Sequence, residues 1–212
     1  MFFAKIISYI AYNFATIVNL ATKEDKDFVV NTFNTSANKI IIKPNWIDTD
    51  QFKPLKIKKN KSILLVGRLE RQKNYQLIIK SIKNLDIDLV IIGEGIQKKE
   101  LLDLSIKQKV KITFLQNISN DKMPLYYNQS YIYVLCSRFE GNPKSLLEAM
   151  SCGSLVIGTN VTGINSIIKD KDNGLLTEEN EIDINNKIKL LLNDLPLRKR
   201  ISKNARKYIL EQ

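Results

Sequence analysis

Residues 132–164 read IYVLCSRFEGNPKSLLEAMSCGSLVIGTNVTGI and contain a strand–helix–strand unit. The apolar run Ile132–Cys136 predicts a strand, Pro143–Cys152 has helical spacing, and Leu155–Thr159 predicts the next strand. Two neighbouring strands joined through a helix are normally parallel. This stretch therefore predicts an α/β fold.

The same alternation runs from Ser62 to the C-terminal end of the chain. Further strands are predicted at Ser62–Gly67, Asp88–Gly93, Lys111–Gln116 and Gly174–Thr177. Further helices are predicted at Tyr75–Leu85, Gln97–Lys107, Lys122–Gln129, Ile182–Asn193 and Pro196–Leu210, with a short helical turn at Asn165–Lys169. Runs such as SILLVG and DLVIIG are apolar on both faces, which indicates strands covered by helices on both sides. The predicted architecture is a doubly wound parallel sheet with its binding crevice at the carboxyl ends of the strands.

The first 45 residues form a separate segment. They predict a helix at Phe3–Tyr12, a strand at Ala15–Leu20, a helix at Lys23–Asn31 and a strand at Lys39–Lys43. Two strands and two helices bury too little apolar surface to be stable alone. The predicted organisation is therefore a fragment of another domain at 1–45, a lysine-rich linker at 46–61 and a main domain at 62–212.

The composition excludes several kinds of active site. The chain has 212 residues, no histidine and two cysteines, Cys136 and Cys152. The residues present therefore cannot build a Ser-His-Asp triad, and they cannot supply a four-ligand zinc site of cysteine and histidine. Two cysteines cannot form a multi-bridge framework, so a reducing, cytoplasmic location is expected.

The net charge of +11 is spread along the chain. Basic clusters lie within Lys53–Lys61 and Arg198–Lys207, either as solvated surfaces or as contacts with anionic lipid headgroups. The amphipathic start, with Phe2, Phe3, Ile6, Ile7, Ile10 and Lys5, either packs against a sheet or lies on a membrane surface. Packing of this helix against a sheet is favoured. Its apolar face is expected to be exposed here, because most of that domain is expected to be missing. Nucleic-acid binding is not expected, because neither cluster has interleaved aromatic residues.

The loop at 137–143 predicts an anion site. Glu140 and Gly141 follow a strand, Asn142 is the predicted N-cap of the next helix, and Pro143 is its predicted first residue. Free backbone N–H groups at such a helix start bind anions, and Gly141 leaves space for a phosphate. Lys144, Ser145 and Glu148 share one helix face, so two carboxylates and a phosphate site converge. That combination suits a ligand with phosphates and sugar hydroxyls, such as a nucleotide sugar.

A second loop, GRLERQKN at 67–74, follows the first strand of the main domain. Arg68 and Lys73 are placed to bind a diphosphate, the first through two parallel hydrogen bonds and the second as a point charge. Gly93 and Gly95 follow the next strand in IIGEGI, but residue 98 is Lys, so the dinucleotide spacing fails.

In this order and spacing, GRLERQKN, IIGEGI, EGNPKSLLEAMSCG, GTNVTGI and DNGLL resemble the C-terminal donor-binding domain of family-4 glycosyltransferases, the glycosyl transferases group 1. PNWIDTDQF resembles the interdomain segment of that family, although Trp46 stands where the family usually has Gly. The resemblance covers essentially the whole chain. It implies a GT-B fold, in which residues 1–45 are the end of an acceptor-binding Rossmann-like domain and residues 62–212 are the donor-binding domain.

The resemblance also implies roles for single residues. The implied catalytic residues are Arg68 and Lys73, which would hold the diphosphate, and Glu140, which would contact the donor sugar. Glu148 would bind the ribose, and the backbone from Gly141 to Leu146 would hold phosphates or sugar. The loop Leu115–Ser119 would border the base. The implied donor-binding residues are Gly67, Asn117, Ile118, Gly141, Asn142, Pro143, Lys144, Ser145, Leu146 and Glu148.

The implied activity is transfer of a sugar, with retention of configuration, from a UDP-sugar or GDP-sugar to a saccharide or lipid-linked acceptor. No cofactor and no metal are expected. The setting would be surface polysaccharide or glycoconjugate synthesis in the cytoplasm, with contact to the inner face of the membrane as a further expectation. Because most of the acceptor domain is expected to be missing, two alternatives stay open: a non-catalytic nucleotide-sugar-binding remnant and a subunit of a split transferase.

Overall fold

The computed structural model describes residues 2–212, which divide into two compact units. Unit 1 ends at Trp46, and unit 2 comprises Ile47–Gln212.

Unit 1 contains two short parallel strands and two helices. Helix α1 spans Phe2–Phe14, strand β1 Val18–Leu20, helix α2 Lys23–Phe33 and strand β2 Ile40–Ile42, with a 3₁₀ turn at Ala37–Lys39. Its small core consists of Val18, Val29, Phe33 and Ile40. The predicted strand at Ala15–Leu20 is too long, because the N–H of Ala15 still bonds the carbonyl of Ala11 at 3.1 Å and so continues the helix.

Helix α1 carries exposed apolar side chains. Phe3, Ile7 and Phe14 are 80%, 67% and 84% exposed. Phe2 is predicted to share this apolar face, but its side chain lies outside the part of the chain that the structure describes. Within residues 2–212, every helix is too short or too polar to cross a membrane.

Unit 2 contains a six-stranded, fully parallel sheet. Its strands are β3 (Asn60–Val66), β4 (Asp88–Ile92), β5 (Ile112–Leu115), β6 (Ser130–Leu135), β7 (Leu155–Thr159) and β8 (Leu175–Thr177). Their order across the sheet is β5-β4-β3-β6-β7-β8. The chain therefore builds the sheet outward in one direction from β3 and then outward in the other from β6. This arrangement confirms the predicted doubly wound sheet.

Six helices and one 3₁₀ turn connect and cover these strands. The helices are α3 (Tyr75–Ser81), α4 (Lys98–Gln108), α5 (Met123–Gln129), α6 (Lys144–Ser151), α7 (Glu181–Asn193) and α8 (Leu195–Leu210), and the turn is Arg71–Lys73. Helix α3 ends four residues before the predicted Leu85, because Ile82 leaves helical geometry and Leu85 bonds back to it in a turn. The predicted helical turn at Asn165–Lys169 is a series of turns that begins at Thr162.

The core of unit 2 lies on both faces of the sheet. Ile63 and Leu65 point to one face and Leu64 to the other, and all three are fully buried. Burying a side chain of this size is worth about 1.5–3 kcal/mol relative to leaving it in water. The continuous apolar run in β3 is therefore explained by its central position in the sheet.

Residues 47–52, the first of unit 2, are anchored to the rest of that unit by a buried phenylalanine and by an arginine of the last helix. The side chain of Phe52 is 2% exposed. The guanidinium of Arg206 donates to the carbonyls of Thr49, Phe52 and Ser151 at 2.9, 2.7 and 2.9 Å. Helix α8 therefore fixes the path of the chain ahead of β3.

Candidate functional site

The candidate site lies where the strand order reverses, between β3 and β6. Two loops leave the carboxyl ends of these strands: loop A, residues 67–74, and loop B, residues 136–143. In open α/β sheets this position is the usual ligand crevice, because the two loops diverge to opposite sides of the sheet.

Loops A and B are fastened to each other. The N–H of Arg138 donates to the carbonyl of Gln72 at 2.9 Å, and the Gln72 side-chain amide donates to the carbonyl of Phe139 at 2.8 Å. The thiol of Cys136 is 3.1 Å from the carbonyl of Lys73. Burial raises the pKa of this thiol, so it acts as a neutral donor below loop A.

The strongest charged contact between the loops joins two predicted catalytic residues. Lys73 Nζ lies 2.6 Å from Glu140 Oε1, and the two side chains are only 15% and 10% exposed. The hydroxyl of Ser137 donates to the same carboxylate oxygen at 2.5 Å. Loops A and B therefore hold a nearly buried cation and anion that compensate each other.

Arg68 is not part of this cluster. Its side chain is 74% exposed and pairs with Glu70 at 3.2 Å. The preceding Gly67 has a φ of +146°, and a Cβ there would lie 3.0 Å from the hydroxyl of Tyr75. The turn that carries Arg68 thus requires glycine. The Arg68–Glu70 pair lies on the surface, where such a contact contributes little stability.

Helix α6 begins one residue later than predicted. The N-cap is Pro143, not Asn142: the Pro143 carbonyl accepts from the N–H groups of Leu146 and Leu147, at 3.0 and 3.3 Å. The proline ring fixes φ at −72° and ψ is extended, so residue 143 closes the loop instead of starting the helix. A Cβ at Gly141 would meet nothing within 4 Å, which leaves open space in front of the helix start.

The predicted residues on α6 have different surroundings. Leu146 is fully buried in the core and its amide is already bonded within the helix. Ser145 accepts a hydrogen bond from the hydroxyl of Tyr133 at 2.8 Å. Lys144 is 55% exposed and lies 3.8 Å from Glu148. The polar side chains of α6 therefore lie on one face of the helix, as the spacing predicts.

Glu148 is a buried carboxylate held by a neutral donor. Its side chain is 8% exposed, and Oε2 accepts a 2.8 Å hydrogen bond from the hydroxyl of Tyr127. Burial raises the pKa of Glu148, while the hydrogen bond from Tyr127 and the charge of Lys144 act in the opposite direction.

Asn117 and Ile118 lie apart from this cluster. They follow β5, which is separated from β3 by β4. Asn117 is exposed with a φ of +55°, whereas Ile118 is half-buried against the core. Both residues follow the carboxyl end of β5, two strands away from β3.

Several residues that organise the site were not predicted. Glu179, just after β8, accepts from the side chains of Asn74 and Arg138, both at 3.0 Å, and so joins a third loop to loops A and B. The hydroxyl of Tyr127 donates to Glu148, and the hydroxyl of Tyr133 donates to Ser145. Their sequence signal was only an aromatic residue in an apolar run, which normally indicates a core position.

A glycine in the predicted GTNVTGI motif explains how loop B is supported. Gly163 has a φ of +83°, and a Cβ there would lie 2.2 Å from the carbonyl oxygen of Glu140. Any side chain at 163 would displace the backbone that carries Glu140.

Known proteins resemble this chain in sequence and in fold. Residues 47–208 match the family model described as glycosyl transferases group 1. A *Campylobacter jejuni* relative, N-acetylgalactosamine-N,N'-diacetylbacillosaminyl-diphospho-undecaprenol 4-alpha-N-acetylgalactosaminyltransferase, is 31% identical over 95% of this chain and 58% of its own length. An *Escherichia coli* relative, UDP-Gal:alpha-D-GlcNAc-diphosphoundecaprenol alpha-1,3-galactosyltransferase, is 29% identical over 76% of this chain and 46% of its own length. The chain thus spans about half the length of these curated relatives.

Among solved structures, HepE from *Anabaena* in complex with UDP and glucose superimposes with a TM-score of 0.87. The match covers 98% of this chain and 62% of HepE at 17% identity. At this identity the likeness establishes the fold, and it confirms the predicted GT-B class.

Proposed function

Because the chain belongs to the glycosyl transferases group 1 family, we propose that it is the donor-binding part of a retaining, metal-independent glycosyltransferase. In this proposal the crevice between loops A and B binds a nucleoside diphosphate sugar. The sugar is transferred to an acceptor bound mainly outside the residues of unit 2.

The observation that carries the proposal is the Lys73–Glu140 pair at the reversal of the strand order. A diphosphate brings two negative charges, and a sugar brings hydroxyl groups. Lys73 would turn from the carboxylate to the diphosphate, joined by the exposed guanidinium of Arg68, and Glu140 would accept hydrogen bonds from the sugar. The pair thus provides a cation for the diphosphate and a hydrogen-bond acceptor for the sugar, 2.6 Å apart.

The same groups account for catalysis. When the bond between sugar and diphosphate breaks, negative charge accumulates on the leaving diphosphate oxygen. Lys73 and Arg68 would stabilise that charge, together with the backbone N–H groups ahead of α6. A developing charge next to a cation in a partly buried site is stabilised far more strongly than in water.

The proposed ligand contacts continue along the crevice. Glu148 would accept from the ribose hydroxyls, Ser145 and the open space at Gly141 would accommodate phosphate, and Asn117 with Ile118 would border the base. The names of the *E. coli* relative and of the HepE complex contain UDP, which makes UDP the first nucleotide to test. GDP is the second.

The proposed acceptor is a lipid-linked saccharide. Both curated relatives described above are named for diphospho-undecaprenol-linked substrates. The exposed lysines at 53, 56 and 58 would support a peripheral position at an anionic inner membrane face.

Calorimetric titration tests the donor-binding proposal. The chain is titrated with UDP and GDP, with and without magnesium, alongside Glu148→Ala. We expect saturable binding of one nucleotide, independent of magnesium and weakened by about tenfold or more in the variant, because a charged hydrogen-bond acceptor is lost.

The matched control is Glu211→Ala, which removes an exposed carboxylate that pairs with Lys207 at 3.5 Å. It should bind as the wild type does. A folded chain that binds neither nucleotide would contradict the donor assignment. Strict dependence on magnesium would contradict metal independence.

A further inference from the structure

We propose that Tyr127 is a positioning residue for the nucleotide: its hydroxyl fixes one oxygen of Glu148 so that the other oxygen is presented to the ribose. The inference rests on the proposed function, because it requires a nucleotide in the crevice. It adds a residue from a different element, α5, to the binding machinery.

The side chain of Tyr127 is held in one position. Its ring is fully buried and packs against the rings of Phe52 and Tyr133, with centroids 6.2 and 5.7 Å away. The backbone carbonyl of Tyr127 is held by the hydroxyl of Ser154 at 2.9 Å. A ring fixed on both sides delivers its hydroxyl to one point, as a positioning group must.

The two carboxylate oxygens of Glu148 have different partners. Oε2 accepts from Tyr127 at 2.8 Å, inside the core. Oε1 is the oxygen that lies 3.8 Å from Lys144, a residue with more than half of its side chain exposed. One oxygen is thus fixed by the interior and the other lies toward the solvent side, beside the start of α6.

A neutral donor is better suited than a cation to fix Oε2 of Glu148. Oε1 already has a cation, Lys144, at 3.8 Å, and a second cation at Oε2 would compensate the carboxylate on both oxygens and make it a weaker acceptor for ribose hydroxyls. A tyrosine hydroxyl orients the carboxylate and leaves its charge in place.

The electrostatic surroundings make this role testable by pH. The groups that face Glu148 are Tyr127 from α5, Tyr133 from β6, Lys144 from its own helix and Cys152, the C-cap of that helix. Burial raises the pKa of Glu148, and the Tyr127 hydrogen bond works against that rise. Removing the hydroxyl therefore raises the pKa further, so a larger fraction of Glu148 is protonated under mildly acidic conditions.

The experiment compares Tyr127→Phe with the wild type at a mildly acidic pH, about 5.5, and at a mildly alkaline pH, about 8, because a carboxyl group whose pKa is raised takes up its proton on the acidic side. The ligands are UDP, or GDP if that is the nucleotide bound, and its 2′,3′-dideoxy analogue. We expect the variant to bind the natural nucleotide about 5–20-fold more weakly at the acidic pH and to recover most of this loss at the alkaline pH. The dideoxy analogue should bind wild type and variant equally, because it offers the carboxylate no ribose hydroxyl.

The matched control is Tyr126→Phe, which removes a hydroxyl from the half-buried neighbour on the same helix and should change nothing. A loss that is equal for both ligands and at both pH values would identify a merely structural effect and overturn the inference. Unchanged affinity in Tyr127→Phe, with a wild type that binds, would overturn it as well and leave the donor assignment intact. A wild type that binds neither nucleotide would remove the donor assignment and this inference together.

A double-mutant cycle separates positioning from folding. If Tyr127 acts through Glu148, Tyr127→Phe should cause no further loss of affinity in a Glu148→Gln background. Additive losses would contradict the inference, and thermal unfolding of each variant verifies that the comparison is made on folded protein.

Discussion

Glu140 and Glu148 belong to the same loop–helix element, yet the structure holds them in opposite ways. Glu140 is paired with a cation, Lys73, at 2.6 Å, whereas the nearest partner of Glu148 is the neutral hydroxyl of Tyr127 at 2.8 Å. Under the proposed function, the first carboxylate must exchange its partner when a ligand arrives, and the second keeps its partner throughout. Under that function, two glutamates of one loop–helix element serve differently: the contact of Glu140 is exchanged and the contact of Glu148 is kept.

The largest effect is expected from Lys73→Ala, which leaves Glu140 with no cation in a nearly buried position. The free energy of unfolding should fall by about 3 kcal/mol, because an uncompensated buried charge is costly. Urea unfolding measures the loss. The double variant Lys73→Ala with Glu140→Gln should recover more than half of it, and equal losses in the single and double variants would show that the pair is not the cause.

Arg68→Ala should separate ligand binding from stability. The Arg68 side chain is 74% exposed, so the free energy of unfolding should be unchanged. The affinity for the nucleoside diphosphate should fall by about 1.5–3 kcal/mol through loss of charge-assisted hydrogen bonds. Calorimetry on the folded variant measures the change. Arg71→Ala, in the same loop, serves as the control, and wild-type affinity in Arg68→Ala would remove that residue from the site.

A smaller effect is expected from Ser137→Ala, which removes the hydroxyl that donates to Glu140. Stability should fall by about 1 kcal/mol, the usual value of one hydrogen bond, because the ion pair with Lys73 remains. Thermal or urea unfolding measures it against Ser166→Ala, an exposed serine. A loss as large as that of Lys73→Ala would mean that the hydroxyl, not the lysine, holds Glu140.

The smallest effect concerns pH and Glu148. Its folded-state pKa is raised above the ordinary value of 4.5, so the folded state holds this proton more tightly than the unfolded state. The contribution of Glu148 to stability is therefore greatest below about pH 4.5 and is lost as the pH rises through the folded-state pKa.

Glu148→Gln cannot lose a proton, so it should equal or exceed the wild-type stability at neutral pH and lose that advantage in acid. Unfolding measured across this range tests the sign. A variant that is less stable at neutral pH than in acid, relative to wild type, would contradict it.

Much of this fold could be predicted because apolar runs and turn residues report directly on buried parallel strands. Strand β7 was predicted with its observed limits, Leu155–Thr159, since Gly and Ser precede it and a polar turn follows. Predicted and observed boundaries differ where backbone bonding outweighs composition, as at the start of α6, where Pro143 takes the capping position.

The site was predictable only in outline. Motif spacing places Lys73 and Glu140 in adjacent loops, but it contains no information on which carboxylate a lysine will meet. Tyr127 and Glu179 lie outside those motifs, and their roles depend on contacts between residues 21 and 105 positions apart. Such contacts follow from the packed structure and are not visible in local patterns.

Cys136 gives the molecule an internal reporter of motion. Its thiol lies under the carbonyls of Lys73 and Asn74, and it is fully buried. A labelling reagent can reach it only when loop A lifts away from the end of β6, so the rate of thiol modification measures the frequency of that opening. Cys152 is also buried, at the C-terminal end of α6, and its modification rate can be measured in the same chain. The ratio of the two modification rates distinguishes local opening of loop A from unfolding of the whole sheet.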